Sequence, residues 1–271
     1  DPVAAAGRPP ILCLPGLTRN ARDFDTLAQR LSAEWRVVVV DFRGRGDSGY
    51  AKDPMSYVPL VYVQDVEKLL GELGCTRYLA IGTSLGGIVT MLLAGAARET
   101  IVGAVLNDVG PEIDPIGLSR IRSYVGKSSA WPTWMHAARA VAESNADAYP
   151  HYEIGDWLAM AKRLYRLNAS GRIVLDYDMK IAEPFRLPGN EAGPDMWQAL
   201  NRLSEIPVLI VRGGLSDILP APVAERMAAV LGDAALVTVP DVGHAPTLDE
   251  PEAAAAIDRL LAGVAREPVV A

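Results

Sequence analysis

The sequence contains few residues of the kinds that form disulfide frameworks or hold metal ions. Of its 271 residues, two are cysteine and three are histidine. Cys13 lies inside one apolar run and Cys75 just before another, so neither their number nor their spacing fits a disulfide framework or a zinc site. We therefore expect two reduced, packed thiols, no bound metal and a cytoplasmic location.

Long apolar runs and an excess of positive charge are also missing. Apolar runs such as 37–40 and 206–211 fall far short of the roughly 18 to 20 residues that cross a bilayer. Lysine and arginine total 26 against 33 aspartate and glutamate, so a net charge of -7 gives no broad attraction to phosphate backbones or anionic lipids. We expect neither a nucleic acid nor a membrane as partner.

Short apolar, β-branched runs alternate with longer amphipathic stretches, a pattern typical of parallel strands joined by crossover helices. The runs predict strands at 11–14, 36–41, 77–82, 101–106, 207–211 and 235–239. Apolar residues at helical spacing predict helices at 23–31, 57–73, 84–97, 221–231 and 251–262. The strands are too uniformly apolar to be half exposed. The fold class is therefore α/β, a mostly parallel sheet with helices on both faces.

The alternation stops after the fourth predicted strand, and about a hundred residues pass before the next one. We expect a core formed by residues 1–109 and 204–271, with residues 110–203 inserted as a helical cap. Trp131 and Trp134 lie three residues apart on a predicted cap helix, so both could face a substrate pocket. Packing inside the cap would explain them equally well.

The segment 82–86, with sequence GTSLG, has the spacing of a nucleophile elbow, a strained turn between a strand and a helix. A predicted strand leads into it and a predicted helix follows it, which is the context that this turn requires. Ser84 is thus the candidate nucleophile. The alternative is an ordinary glycine-rich turn in which the serine caps the helix.

A serine hydroxyl needs a base, and an imidazole base needs an acid that fixes its tautomer. His136 and His151 lie in the predicted cap, whereas His244 follows the last predicted strand, at the sheet edge where α/β folds bind ligands. His244 is therefore the predicted base. Asp217 and Asp108 each follow the end of a strand, and we favour Asp217 because its strand is next in sequence to the histidine loop. Asp108 remains the alternative acid.

Negative charge that develops on a carbonyl oxygen needs rigid hydrogen-bond donors. The amide of Leu85 follows the nucleophile at a helix start, and the amide of Leu17 lies in the loop after the first strand. We predict that these two amides form an oxyanion hole. The alternative for the Leu17 loop is an ordinary turn between a strand and a helix.

These residues resemble the α/β-hydrolase superfamily, in its lidded branch of esterases, carbon–carbon hydrolases, epoxide hydrolases and dehalogenases. The resemblance covers nearly the whole core and rests on the segments 14–17 (LPGL), 41–48 (DFRGRGDS), 82–87 (GTSLGG) and 243–244 (GH), together with Asp217. It implies that 41–48 supports the oxyanion region and is structural. The family's usual amino-terminal β-hairpin is not expected, since only ten residues precede the first predicted strand.

The resemblance implies a serine hydrolase that cleaves a small-to-medium apolar carboxylic ester through an acyl-enzyme, with a small-molecule ester as partner and no cofactor. A serine at the nucleophile position disfavours epoxide hydrolase and dehalogenase chemistry. Alternatives are a carbon–carbon hydrolase of ring-cleavage products, a lactonase, a perhydrolase, or a hydrolase-like protein that only binds a ligand. The carbon–carbon hydrolase would need a cation in the pocket, for which Arg120, Arg122 and Arg166 are candidates.

Overall fold

The computed structural model describes residues 7–186 and 194–265. Its strands, in chain order, are β1 (Ile11–Leu14), β2 (Val37–Val39), β3 (Tyr78–Thr83), β4 (Ile101–Asn107), β5 (Ala130–Trp131), β6 (Tyr165–Leu167), β7 (Ile173–Leu175), β8 (Val208–Gly213) and β9 (Ala235–Val239). Its α-helices are α1 (Asp25–Leu31), α2 (Pro59–Glu72), α3 (Leu85–Ala97), α4 (Pro115–Tyr124), α5 (Trp134–Asn145), α6 (Ile154–Leu164), α7 (Glu183–Arg186), α8 (Met196–Asn201), α9 (Ala221–Leu231) and α10 (Pro251–Val264).

The main sheet has six parallel strands in the order β2-β1-β3-β4-β8-β9. These are the six strands that the apolar runs predict, and the α/β fold class is confirmed. Their boundaries differ from the predicted ones by a few residues, mostly at β2, where three residues pair instead of six. Because the strands are parallel and adjacent, the carboxyl ends of β3, β4 and β8 lie side by side at one edge of the sheet.

Helices cover both faces of this sheet, as its uniformly apolar strands require. Along β1, Leu12 and Leu14 face one core cluster, which includes side chains of α2, α3 and α9, whereas Ile11 and Cys13 face the other, which includes α1 and α10. Each buried aliphatic side chain stabilises the fold by about 1.5 to 3 kcal/mol relative to an exposed one. This two-sided burial fixes the sheet edge that carries the functional loops.

The segment between β4 and β8 holds α4 to α8 and a small antiparallel sheet with the order β5-β7-β6. The expectation of a purely helical insertion overlooked this sheet, because strands of two or three residues are too short to show an alternating pattern. The segment has a hydrophobic cluster of its own around Val141, Trp157 and Ile173.

The proposed division into a core and a cap stays a prediction. Residues 187–193 of the expected cap, and residues 1–6 and 266–271 of the expected core, lie outside the described residues. Within the described ranges, no helix combines the length and the apolar character needed to span a lipid bilayer.

Candidate active site

Ser84 lies in a strained turn between β3 and α3, with φ 52° and ψ -116°. β3 and α3 approach so closely that a Cβ on Gly82 would lie 2.4 Å from the Gly86 carbonyl oxygen. The start of α3 also lies against β1, since a Cβ on Gly86 would lie 1.9 Å from the Leu14 carbonyl oxygen. The Ser84 side chain makes no capping hydrogen bond to α3. The alternative of a helix-capping serine is therefore wrong, and the hydroxyl is available to another partner.

That partner is His244, on the loop that follows β9. Its Nε2 lies 2.9 Å from Ser84 Oγ, and its Nδ1 lies 2.7 Å from Asp108 Oδ2. In this arrangement the Nδ1–H donates to the carboxylate, which leaves the Nε2 lone pair to accept the serine proton. The structure thus brings Ser84 and His244, the predicted nucleophile and base, within hydrogen-bond distance.

The inserted segment holds the loop that carries His244. The Gly243 amide donates to the Ala148 carbonyl oxygen at 2.6 Å, and the Tyr149 hydroxyl donates to the Ala245 carbonyl oxygen at 2.9 Å. Gly243 and Ala245, which flank His244 in sequence, are therefore both held by hydrogen bonds from the inserted segment.

Asp108 has a fully buried side chain that is held as a hydrogen-bond acceptor. Its Oδ1 accepts from the Gly213 amide at 2.9 Å, and its Oδ2 accepts from Ser216 Oγ at 2.6 Å. Ser216 Oγ itself accepts from the amides of Ile218 and Leu219, both at 3.1 Å. Since those contacts engage the lone pairs of the hydroxyl, its single proton points at Asp108. Ser216 is a positioning residue that sequence reasoning missed, although it lies beside Asp217 in the sequence.

Asp217, the predicted acid, does not contact His244. It accepts from Nε and Nη2 of Arg120 on α4, at 2.5 and 2.7 Å, and α4 packs so tightly here that a Cβ on Gly117 would lie 2.0 Å from the Asp217 carbonyl oxygen. Burial disfavours the Asp217 carboxylate, but the hydrogen bonds and charge of Arg120 outweigh burial and lower the pKa of Asp217. The prediction that Asp217 orients His244 is wrong, and the alternative Asp108 occupies that position.

The two predicted oxyanion donors adjoin the nucleophile. Leu85 is the first residue of α3, so its amide has no acceptor within the helix. A Cβ on Gly16 would lie 3.6 Å from Ser84 Cβ, so the peptide unit that joins Gly16 to Leu17 passes beside Ser84. The role of the two amides as oxyanion donors stays a prediction.

Arg45, from the 41–48 segment, supports the loop after β1 that carries Leu17. Its guanidinium is fully buried and donates to the Leu17 carbonyl oxygen at 2.9 Å, to the Arg43 carbonyl oxygen at 2.8 Å and to the Tyr62 hydroxyl at 2.9 Å. The bond to Leu17 fixes the orientation of the neighbouring peptide units. This contact agrees with the structural role that the resemblance implies for the segment.

A cavity of about 500 Å³ opens above Ser84, between the loops at the sheet edge and the inserted segment. Apolar walls come from α4, α5, α6 and the small sheet, through Ile121, Val141, Met160, Leu164 and Leu175. Its size is suited to a small or medium ligand.

The two predicted pocket tryptophans differ in position. Both pack against the hydrophobic cluster of the inserted segment, and Trp131 also lines the cavity, whereas Trp134 is not among the described residues that line it. They do not share a helix, because Thr133 caps α5 by accepting from the His136 amide and the helix begins at Trp134. The prediction for Trp134 is therefore wrong in this structure.

Of the three cations considered for carboxylate binding, Arg120 reaches the cavity wall and is paired with Asp217. Arg166 pairs with Asp176, and Arg122 is exposed on α4. Within the described residues, no group of three or more histidine, cysteine, aspartate or glutamate side chains could hold a metal ion.

Comparison with known proteins identifies the family of the chain. The sequence model of the "Alpha/beta hydrolase family" matches residues 11–257. A 3-hydroxybutyrate-oligomer hydrolase from Cupriavidus necator is 35% identical over 248 residues, which are 89% of this chain and 84% of that protein. An esterase from Mycobacterium tuberculosis is 27% identical over 252 residues, 90% of this chain and 80% of its own length. The crystal structure of an alpha/beta hydrolase from Novosphingobium aromaticivorans has 59% identity and a TM-score of 0.90, with 94% of this chain and 90% of that chain covered.

Proposed function

Because the chain belongs to the alpha/beta hydrolase family, we propose that it is a serine hydrolase that cleaves carboxylic esters through an acyl-enzyme intermediate. The observation that carries this proposal is the hydrogen-bonded chain Asp108–His244–Ser84, with distances of 2.7 and 2.9 Å, at the floor of the cavity. Such a chain suits acyl transfer, because His244 Nε2 can take the proton of Ser84 while Asp108 accepts the Nδ1–H bond and stabilises the imidazolium that forms.

In the first half of the reaction, Ser84 Oγ attacks the ester carbonyl carbon while its proton moves to His244 Nε2. The carbonyl oxygen of the tetrahedral intermediate takes up negative charge, which the amides of Leu17 and Leu85 stabilise. The bond to the alcohol oxygen then breaks, and His244 gives its proton to the departing alcohol. An acyl group remains on Ser84.

In the second half, water enters and His244 removes one of its protons as the oxygen attacks the acyl carbon. The bond to Ser84 Oγ breaks, the serine recovers its proton from His244, and a carboxylic acid is released. Asp108 stays ionised throughout, holding the Nδ1–H and stabilising the imidazolium that forms in each half.

The substrate class is a small-to-medium ester whose acyl or alcohol part fits the apolar wall of the cavity. A volume of about 500 Å³ accommodates such a molecule. The named esterase and ester-oligomer hydrolase among the relatives support this class.

A second candidate is an ester of a hydroxy acid, the kind of bond that links 3-hydroxybutyrate oligomers. The relative named for those oligomers is covered over 84% of its length. The specific observation in favour of this candidate is that the described cavity lining contains four cationic side chains, those of Arg19, Arg120, Lys127 and Arg163, against the single carboxylate of Asp23. Even with Arg120 paired to Asp217, the lining is cationic overall. This positive charge would attract the free carboxylate that ends such an oligomer.

The test combines a covalent probe with a substrate series. A fluorophosphonate probe should label the wild type at Ser84, should fail to label Ser84→Ala, and should label the control Ser32→Ala fully, because Ser32 is exposed on the far end of α1. Turnover of 4-nitrophenyl esters from acetate to octanoate should be lost in Ser84→Ala and retained in the control Ser32→Ala. Labelling that persists in Ser84→Ala would contradict the assignment of the nucleophile, and a wild type that neither binds the probe nor cleaves any ester of the series would favour the ligand-binding alternative.

A further inference from the structure

Two guanidinium groups share one carboxylate in the cavity wall. Arg19 donates from Nε and Nη2 to Asp23, at 2.5 and 2.6 Å, and Arg163 Nε lies 3.8 Å from Asp23 Oδ1. The three side chains are only 25%, 22% and 14% exposed for Arg19, Arg163 and Asp23, respectively, and all three line the cavity. The cluster therefore holds one positive charge in excess at a largely buried surface.

Both guanidinium groups remain charged. Burial disfavours the charge of Arg19, but the neighbouring Asp23 outweighs burial and raises the pKa of Arg19. An arginine is effectively always protonated in proteins. The excess charge is thus a permanent feature of this wall.

No nearby carboxylate cancels the excess within the described cavity wall. Asp176 pairs with both Arg22 and Arg166, at 2.6 and 3.0 Å, so its single negative charge is already balanced by two arginines. Asp249 lies within electrostatic reach of Arg163, but it does not line the cavity. A buried excess charge is costly unless a counter-charge of good geometry is bound.

The remaining charges around the cavity do not supply the counter-charge either. Arg120 is neutralised by its bidentate pair with Asp217 outside the lining, and Lys127 is exposed at the wall. The set of charges that face the cavity is therefore cationic overall.

The cluster lies close to the reacting atoms. A Cβ on Gly16 would lie 3.1 Å from Arg19 Cγ and 3.6 Å from Ser84 Cβ, so the stem of Arg19 passes beside the nucleophile. The other arginine is fixed by its backbone, since the Arg163 carbonyl oxygen accepts from Asn20 Nδ2 at 2.9 Å. An anionic group held by this pair would belong to the same molecule whose ester lies at Ser84.

We propose that Arg19 and Arg163 form a subsite for a free carboxylate of the substrate, so that the preferred substrate is an ester that also carries a carboxylate, such as an acylated short-chain hydroxy acid. This inference rests on the proposed ester hydrolysis. Recognition would use the N–H donors that Asp23 leaves free, which include Nη1 of Arg19 and the guanidinium of Arg163, whose Nε lies 3.8 Å from Asp23.

The binding experiment uses a pair of ligands that differ only in the charged group, 3-acetoxybutanoate and 3-acetoxybutanamide. Calorimetric titration of Ser84→Ala, which cannot turn them over, should give a Kd about 10- to 100-fold lower for the acid, as expected for charged hydrogen bonds. Adding Arg163→Gln or Arg19→Gln should remove most of this difference. Adding Arg122→Gln, which neutralises an exposed cap arginine outside the cavity lining, should leave it unchanged.

Equal Kd values for acid and amide would overturn the carboxylate subsite, even in a chain that cleaves 4-nitrophenyl esters normally. A preference for the acid that survives both Arg19→Gln and Arg163→Gln would overturn the assignment to these two residues. The ratio of the Kd values for acid and amide is measured first in Ser84→Ala itself. The carboxylate subsite can therefore be tested even if Arg19→Gln or Arg163→Gln fails to fold. If the proposed ester hydrolysis itself is wrong, the wild type will show neither probe labelling nor ester turnover, which is a different result from equal Kd values.

Discussion

Arg120 and Asp217 form a bidentate pair that joins α4 of the inserted segment to the loop after β8. The pair draws the carboxylate of Asp217 away from His244, although Asp217 remains close enough for the imidazole to influence it electrostatically. β4 and β8 are neighbours in the sheet, so the loops after both strands reach the same site. Asp217 is bound by Arg120, so the carboxylate that accepts from the imidazole of His244 is that of Asp108.

The first prediction concerns these two carboxylates. Asp108→Asn should lower kcat/KM for a 4-nitrophenyl ester by about 10⁴-fold, because an amide cannot hold the imidazole in the required tautomer or stabilise its charged form. Asp217→Asn should lower it by no more than about fivefold, the equivalent of ~1 kcal/mol for a half-exposed ion pair. Steady-state kinetics at neutral pH check both values, and a larger loss for Asp217→Asn would return the role of acid to that residue.

The same ion pair should make stability depend on pH in a defined direction. The pKa of Asp217 is lowered in the folded chain, so the pair stabilises the fold at pH values above the ordinary carboxyl pKa of about 3.9, and this contribution is lost as the pH falls through the lowered value. At pH 7, Asp217→Asn should therefore cost about 1 kcal/mol in the free energy of unfolding, an estimate reduced for the 33% exposure of the side chain.

Urea denaturation of the wild type and of Asp217→Asn at pH 7 and at pH 3 measures this dependence. The difference in free energy of unfolding between the two chains should shrink at the lower pH. A difference that is equal at both pH values would mean that the substitution acts through packing and not through the charge of Asp217.

The main sheet and the turn at Ser84 could be predicted from the sequence because their signals are local. The six buried strands are marked by apolar runs, and Gly82 is required by its contact with the start of the helix that follows the same strand. Gly86 is required by Leu14 of β1, but it belongs to the same local glycine pattern of the turn. The position of His244 follows from the end of a strand in the same way.

The carboxylate that binds His244, the packing of the inserted segment and the cationic cluster depend on contacts between distant parts of the chain. Arg120 and Asp217 are 97 residues apart, and Arg163 meets Asp23 across a still longer gap in sequence. Periodicity carries no information on such pairs. Arg19 could have been noticed, because it directly follows the loop that carries Leu17, but its excess charge emerges only when Arg163 is brought beside it.

The backbone strain at Ser84 leads to another prediction. A non-glycine residue with φ 52° and ψ -116° costs about 1 to 3 kcal/mol, part of which glycine would relieve despite its larger entropy loss on folding. Ser84→Gly should therefore unfold at a higher urea concentration than Ser84→Ala, by about 1 kcal/mol in free energy, while both lack turnover. Equal stabilities of the two variants would show that the surrounding contacts impose no strain that a glycine can release.

The last prediction separates the two tryptophans of the inserted segment. Trp131 lines the cavity, so Trp131→Ala should enlarge it and shift the ratio of kcat/KM for hexanoate and acetate esters of 4-nitrophenol by about tenfold in favour of hexanoate. Trp134 is half-buried against the cluster of the inserted segment, so Trp134→Ala should lower the free energy of unfolding by about 1 to 3 kcal/mol, less than the loss for a fully buried tryptophan, and leave the ratio unchanged. Including the phenylacetate ester tests whether the enlarged cavity also admits an aromatic acyl group. If Trp134→Ala shifts the ester preference and Trp131→Ala does not, the acyl group binds on the α5 side of the inserted segment, and the cavity wall at Trp131 serves another part of the substrate.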